Sequence, residues 1–318
     1  MIAPSDAWPP LDYHAWRPTC EVLHLWTQIV GKYRLAHTPW LRHSWHATLY
    51  VTPRGLTTGL VPDPGGPVVI DLDLQGHRLL VQSSDRTEGF ALGPMSVAEF
   101  LAGVQQAIRA VGGTPSIHGR PNEVQDPTPF AEDKAARPYD AEAVMRFHRA
   151  LLRAGDVFGR FASGFLGKVS PVHLFWGSFD LAVTRFSGRA APRHPGGIPS
   201  LPDTITREAY SHELSSAGFW PGGGGADEAM FYSYAYPTPD GFAQRPVRPE
   251  AARWDAGLGE FLLPYEAVRK SDDPEGVLMA FLETTYTAAA ETGGWDRGGL
   301  ECGVQRPRVP RPVEEAAP

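Results

Sequence analysis

Cysteine is almost missing: the chain of 318 residues has two, Cys20 and Cys302. They stand far apart and match no metal-ligand spacing. This excludes a disulfide framework and a cysteine zinc site, and it suits a reducing, cytoplasmic compartment. Charge is sparse as well. Charged residues make up 20% of the chain, the net charge is −7, and no run of Lys or Arg occurs. A nucleic-acid reader needs a basic stripe to neutralise phosphates, so no nucleic-acid partner is expected. No apolar stretch reaches the ~18 residues of a membrane helix. Met1–Pro10 lacks the basic and apolar regions of a signal peptide, so no membrane association is expected either. The catalytic signatures G-x-S-x-G, H-E-x-x-H and C-x-x-C are missing, as is G-x-G-x-x-G between a strand and a helix. The cofactor therefore stays unknown and no metal is assigned.

What is present suits a folded protein. Hydrophobic residues make up 42%, and nine Trp, ten Tyr and fifteen Phe can fill a sizeable core. Residues 1–17, rich in Pro and Trp, are expected to lie extended over the surface. Val22, Leu25, Trp26, Ile29 and Tyr33 recur at helical spacing and predict a helix over Thr19–Leu35. Strands are predicted at Ser44–Thr52, Gly55–Val61, Pro67–Leu74, His77–Ser83 and Gly89–Leu92, with turn residues between them. Ser96 with Glu99 forms a capping-box pattern ahead of a helix to about Val111. Ile117–Val124 reads as another short strand, and the Pro-rich, charged stretch 125–138 as a junction.

The second half repeats that order. A long helix follows Asp140, with strands at Pro171–Trp176 and Phe179–Phe186 and a short helix at Thr206–Ala217. Trp220–Gly225 reads as a Gly-rich turn, Met230–Tyr236 and Glu260–Pro264 as strands, and Pro274–Thr292 as the last helix. Residues 304–318 are expected to be a disordered Pro-rich tail. A constant offset aligns Pro39 with Pro171, Leu49 with Leu181 and Val51-Thr52 with Val183-Thr184, and Gly31-Lys32 resembles Gly167-Lys168. The predicted fold class is α+β: two diverged helix–antiparallel sheet–helix halves, 1–135 and 136–303, packed about a pseudo-twofold axis. A ligand cleft is expected between them.

Chemistry-bearing residues gather in a few segments. In Ser170–Arg189, alternation sets His173 with Phe175, and sets Asp180 on the face opposite Arg185. An Asp in an apolar strand needs a partner, whether a structural salt bridge or a functional group. In Glu208–Gly225, consecutive Ser211, His212 and Glu213 cannot form a triad among themselves. Glu208 and His212, four apart, suit one helix face as a hydrogen-bonded pair or as two metal ligands lacking a third. Tyr232, Tyr234 and Tyr236 share a strand face that is either a pocket wall or the wet side of a sheet. His24, Gln28 and Lys32 form a polar stripe on the first helix, facing water or a polar cavity. Arg54 sits at a turn and can clamp an anion or point into water.

The segments LHLWTQIVGKYRLAHTPWLRHSWHATLYVTPRGLTT, SPVHLFWGSFDLAVTRFSGR and REAYSHELSSAGFWPGGG together resemble a family of uncharacterised bacterial proteins, a domain of unknown function, over about residues 8–300. The resemblance implies a stand-alone bacterial protein and carries no activity, cofactor or catalytic residue.

Three functions fit. The first is an enzyme acting on a small polar or anionic molecule between the halves. His173 and His212 would exchange protons, oriented by Asp180 or Glu213. Lys32, Arg54 and Arg185 would hold substrate charge, and Trp26, Trp176, Trp220 and Tyr234 would form walls. The second is a non-catalytic small-molecule binder or sensor using the same cleft. The third is a structural or interaction module with a flat apolar surface. The oligomeric state is not legible.

Overall fold

The structure is a computed structural model that describes residues 7–223 and 226–311. Parts of the expected N-terminal extension, the glycine run and the tail (1–6, 224–225 and 312–318) lie outside the described residues.

The N-terminal half begins with helix α1, Tyr13–His37, capped by Asp12, whose carboxylate accepts from His14 and Ala15 N–H groups. It starts earlier than its apolar period suggests and runs through Pro18. That proline strips a partner only from the carbonyl of His14, and both residues are exposed to water. Residues 8–12 do not lie over the surface: Trp8 and Leu11 are buried, Trp8 against Phe231 and Tyr265. Five strands form an antiparallel meander: β1 Tyr50–Thr52, β2 Gly55–Thr57, β3 Val69–Asp73, β4 Arg78–Gln82 and β5 Thr87–Ala91. Helix α2, Val97–Ala110, follows with the capping box of Ser96 and Glu99 complete, and it packs on β4 and β5.

The C-terminal half opens with α3, Ala141–Ser163. Its six-stranded sheet has β6 His173–Phe175, β7 Asp180–Ala190, β8 His212–Trp220, β9 Met230–Tyr236, β10 Arg253–Asp255 and β11 Glu260–Pro264. Their order is β10-β11-β9-β8-β7-β6, all antiparallel. A short helix, α4 Asp203–Ala209, precedes β8. Helices α5 Tyr265–Arg269, α6 Pro274–Thr292 and α7 Arg297–Leu300 close the chain. The fold is α+β, and each half runs helix, antiparallel sheet, helix. Among the described residues no helix is long and apolar enough to cross a membrane.

Three local expectations differ from the structure. Ser44–Thr52 forms a strand only over its last three residues, because His43 and Ser44 take left-handed backbone (φ 59° each) that breaks extension. Thr206–Ala217 is helical only to Ala209. From His212 the chain is a central strand, because β7 and β9 supply hydrogen-bond partners on both sides and override a Ser/Ala/Gly-rich sequence. Ile117–Val124 forms no strand; Glu123 sits at φ 58°.

The halves meet at a backbone pair. Leu49, just before β1, and Leu174 of β6 exchange N–H···O bonds of 3.0 and 2.8 Å. Counted along the sheets, β6 stands where β1 stands, so the offset that aligns Leu49 with Leu181 does not follow the strand order. Gly31-Lys32 lies inside α1, whereas Gly167-Lys168 follows the end of α3. The core crosses the junction: Trp16 of α1 lies 5.2 Å from Phe147 of α3, which lies 5.3 Å from Phe179.

Candidate functional site

The strand register of the six-stranded sheet builds the site. Side chains alternate, so one face carries Leu181, Val183 and Arg185 of β7 with Ala217 and Phe219 of β8, and α3 and α6 cover it. The other face reads as rows across the strands. Phe175, Asp180 and Trp220 form one row; His173, Ala182, Gly218 and Tyr232 the next; then Thr184, Ser216 and Tyr234; then Phe186 and Leu214. Glu260 of β11 continues the third row beyond Tyr234. The middle rows are small at their centre and bulky at their margins. A sheet cannot fill the space above Ala182, Gly218 and Ser216 with its own side chains, and a hollow remains.

Segments from both halves wall this hollow. The turn around Trp45 and the 122–123 stretch come from the N-terminal half; the β6–β7 turn, the loop before α4 and α4 itself come from the C-terminal half. The cover is tied down by hydrogen bonds. Glu123 N–H donates to the carbonyl of Pro199 (3.0 Å) and Ser200 Oγ to that of Val124 (3.1 Å). On the other side His43 N–H donates to Glu208 Oε2 (2.9 Å). His43 Nδ1 lies 2.7 Å from the carbonyl of Ala209; since a carbonyl only accepts, Nδ1 carries the proton. His43 Nε2 then accepts from Lys168. The volume of the hollow is about 280 Å³, close to the lower limit of small-molecule sites.

Three carboxyls face the hollow: Glu123, Asp180 and Glu260. Asp180 accepts from the hydroxyls of Ser178 and Tyr232, yet burial pushes its carboxyl above the usual range against those bonds. Burial and then the Asp180 charge push Glu123 up to about 7, with Lys32 opposing. Burial, then Asp180 and Asp255, push Glu260 up to about 8. Glu260 Oε2 has no hydrogen-bond partner among the described residues. Tyr210 and Tyr234 pair through their hydroxyls at 2.9 Å, and burial raises both phenols. Among the described residues no three His, Cys, Asp or Glu side chains cluster as metal ligands.

The polar stripe of α1 holds two of these pieces in place. His24 Nε2–H donates to the carbonyl of Gly177 (2.8 Å). Gln28 exchanges bonds with the Asn122 backbone, giving its N–H to the carbonyl (2.9 Å) and receiving the amide N–H (2.8 Å). Lys32, 2% exposed, donates to Asn122 Oδ1. Burial lowers Lys32 to about 8, with Glu123 opposing. The stripe thus faces neither open water nor the hollow, and fixes the segments that carry Glu123 and Ser178. Trp176 is wedged next to it. Its ring lies 5.2 Å from Lys32 Nζ, its Nε1 donates to the Ala47 carbonyl, and a Cβ on Gly31 would fall 2.1 Å from the ring.

The residues singled out from sequence fall into three groups. Asp180, Trp176, Trp220 and Tyr234 line the hollow. Close to it, His173 is buried on the floor side, among the described residues neither ring nitrogen has a partner, and burial lowers it to about 3. His212 lies 5.8 Å from His43, ring to ring, and bonds Ser211 Oγ (3.0 Å). It sits on a strand while Glu208 ends α4, so the two share no helix face. Lys32 stands behind the wall. The remainder point elsewhere. Arg185 projects from the opposite face into Phe161, Phe165 and Tyr286, and burial lowers it to about 10. Glu213 shares that face and binds Arg189 (2.6 Å). Arg54, its side chain 61% exposed, binds Asp73 at the far sheet. Trp26 stacks on Phe100 in the N-terminal core. Residues that no sequence pattern marks complete the site: Glu123 and Tyr210 in loops, Glu260 at a strand start.

No curated protein and no solved structure matches the chain. The family profile that does match extends from residue 8 to residue 302, taking in both sheets and every wall of the hollow. The chain therefore belongs to the family of unknown function DUF5996.

Proposed function

We propose that the protein binds a small molecule in the hollow between its halves and exchanges protons with it, as an acid–base enzyme. The observation that carries this reading is the set of three carboxyls, Glu123, Asp180 and Glu260, gathered around one hollow of about 280 Å³. Glu123 near 7 and Glu260 near 8 can each hold or release a proton at neutral pH. Asp180, held by Tyr232 and Ser178, is a fixed acceptor between them. The halves share the order helix, antiparallel sheet, helix, which an ancient duplication would leave, and they meet where Leu49 pairs with Leu174. The unpaired Cys20 and Cys302 suit a cytoplasmic setting.

The test is a screen of small metabolites by ligand-observed NMR, on the wild-type protein and on Ala182→Leu, which fills the floor. Compounds are expected to bind the first and not the second. Equal binding to both, or to neither, overturns the site. Bound compounds are then followed for conversion. Glu123→Gln is expected to lower kcat by about 10²–10⁴-fold. Binding without conversion of any compound assigns a sensor in place of an enzyme.

A further inference from the structure

We infer that the hollow takes an organic cation: a protonated or quaternary amine carried on a small apolar body. This rests on the reading of the hollow as a binding site and specifies what enters it.

The charge of the lining decides the sign. Three carboxyls face the space, and among the described residues no Lys or Arg lines it. The nearby ammonium groups are committed elsewhere: Lys32 to Asn122 behind Trp176, Lys168 to His43. An anion would meet three carboxyls offset only by Lys32 acting on Glu123 from behind the wall, whereas a cation would supply the charge that Asp180 and Glu260 lack. Burial gives the same answer. Among the described residues Glu260 Oε2 is buried without a donor, and leaving such an atom unpaired is costly. It is closed to direct contact, so what a guest offers it is the positive field of a cation rather than a hydrogen bond.

The aromatic walls add a second attraction. The rings of Trp220 and Tyr232 lie 4.5 Å apart and those of Tyr232 and Tyr234 stack at 6.1 Å, with Asp180 and Glu260 beside them. Aromatic faces attract ammonium groups, more strongly where water is excluded. The volume sets the scale of the guest: about 280 Å³ lies at the lower end of small-molecule sites and suits a compact molecule.

The experiment is calorimetry at pH 8 with phenethylamine and choline, each beside a neutral counterpart, phenethyl alcohol and 3,3-dimethylbutanol, and with phenylacetate as the anion. At least one amine is expected to bind ten-fold or more tightly than its counterpart, and phenylacetate to bind more weakly than either. Glu260→Gln and Glu123→Gln, checked for fold by circular dichroism, are expected to weaken the amine ten-fold or more and to leave the alcohol unchanged. Glu260→Asp should restore part of the loss. The amine is also expected to displace protons and to bind more tightly as pH rises from 6 to 8. Glu123 faces Lys32 and Asp180, and Glu260 faces Asp180, Asp255, Tyr210, Tyr232 and Tyr234; the cation drives the shared protons off the carboxyls. If a neutral probe or phenylacetate binds as well as the amines, or no probe binds, the cation assignment falls. The metabolite screen and Ala182→Leu then decide the hollow separately.

Discussion

Glu260 shows how the site acts on stability. Its carboxyl is displaced from the usual glutamate value, about 4.3, to about 8 by burial and by Asp180 and Asp255. In that window the folded protein holds a proton that the unfolded chain has released. Stability contributed by this group is therefore lost as pH rises from about 4.3 towards 8. Glu260→Gln removes the ionisation. It is expected to raise stability by about 1–3 kcal/mol at pH 8.5, after allowance for partial contact with water, and by much less at pH 4. Thermal melts at the two pH values check this; equal shifts, or a loss at pH 8.5, contradict it. Single residues of this kind were only partly legible in the sequence. Asp180 was, because a carboxylate in an apolar strand demands a partner. Glu123 was not: it owes its place to a left-handed backbone in a loop and to hydrogen bonds from a helix about ninety residues away. Arg185 and Glu213 were misplaced despite usable parity. Asp180 and Arg185 alternate to opposite sides of β7, so one hollow cannot receive both.

At the scale of elements, α1 does more than pack. Its buried stripe of His24, Gln28 and Lys32 replaces backbone pairing for two irregular segments that no sheet holds. Gln28→Leu is expected to leave α1 intact and to free Asn122 and Glu123, weakening amine binding several-fold. Loss of one to three buried hydrogen bonds should cost about 1–4 kcal/mol of stability. Calorimetry with phenethylamine and urea melts measure the two effects; unchanged affinity would show that the stripe is structural alone. The helices were legible because caps and apolar periods are local, as with Ser96–Glu99 and with Asp140. Strand β8 was not, because Leu-Ser-Ser-Ala-Gly has no strand preference of its own and is extended only between two partners. The small residues that hid this strand are also what leaves the hollow open.

In the whole molecule, one core serves both halves, and the order helix, sheet, helix was readable from alternating apolar patterns and turn residues. The joint itself was not, since it depends on single contacts such as Leu49 with Leu174 and Trp16 with Phe147. Residues 1–135 and 136–303, produced separately, are expected to show no cooperative melt alone and to regain one when mixed. Two independent sharp transitions would show autonomous domains instead.

Trp176 and Trp220 border the hollow, and Trp220 lies against the Tyr232 ring that touches Asp180. The protein thus carries its own optical gauge. Indole emission responds to nearby charge and to displaced water, so occupancy can be followed by light alone, with no label attached.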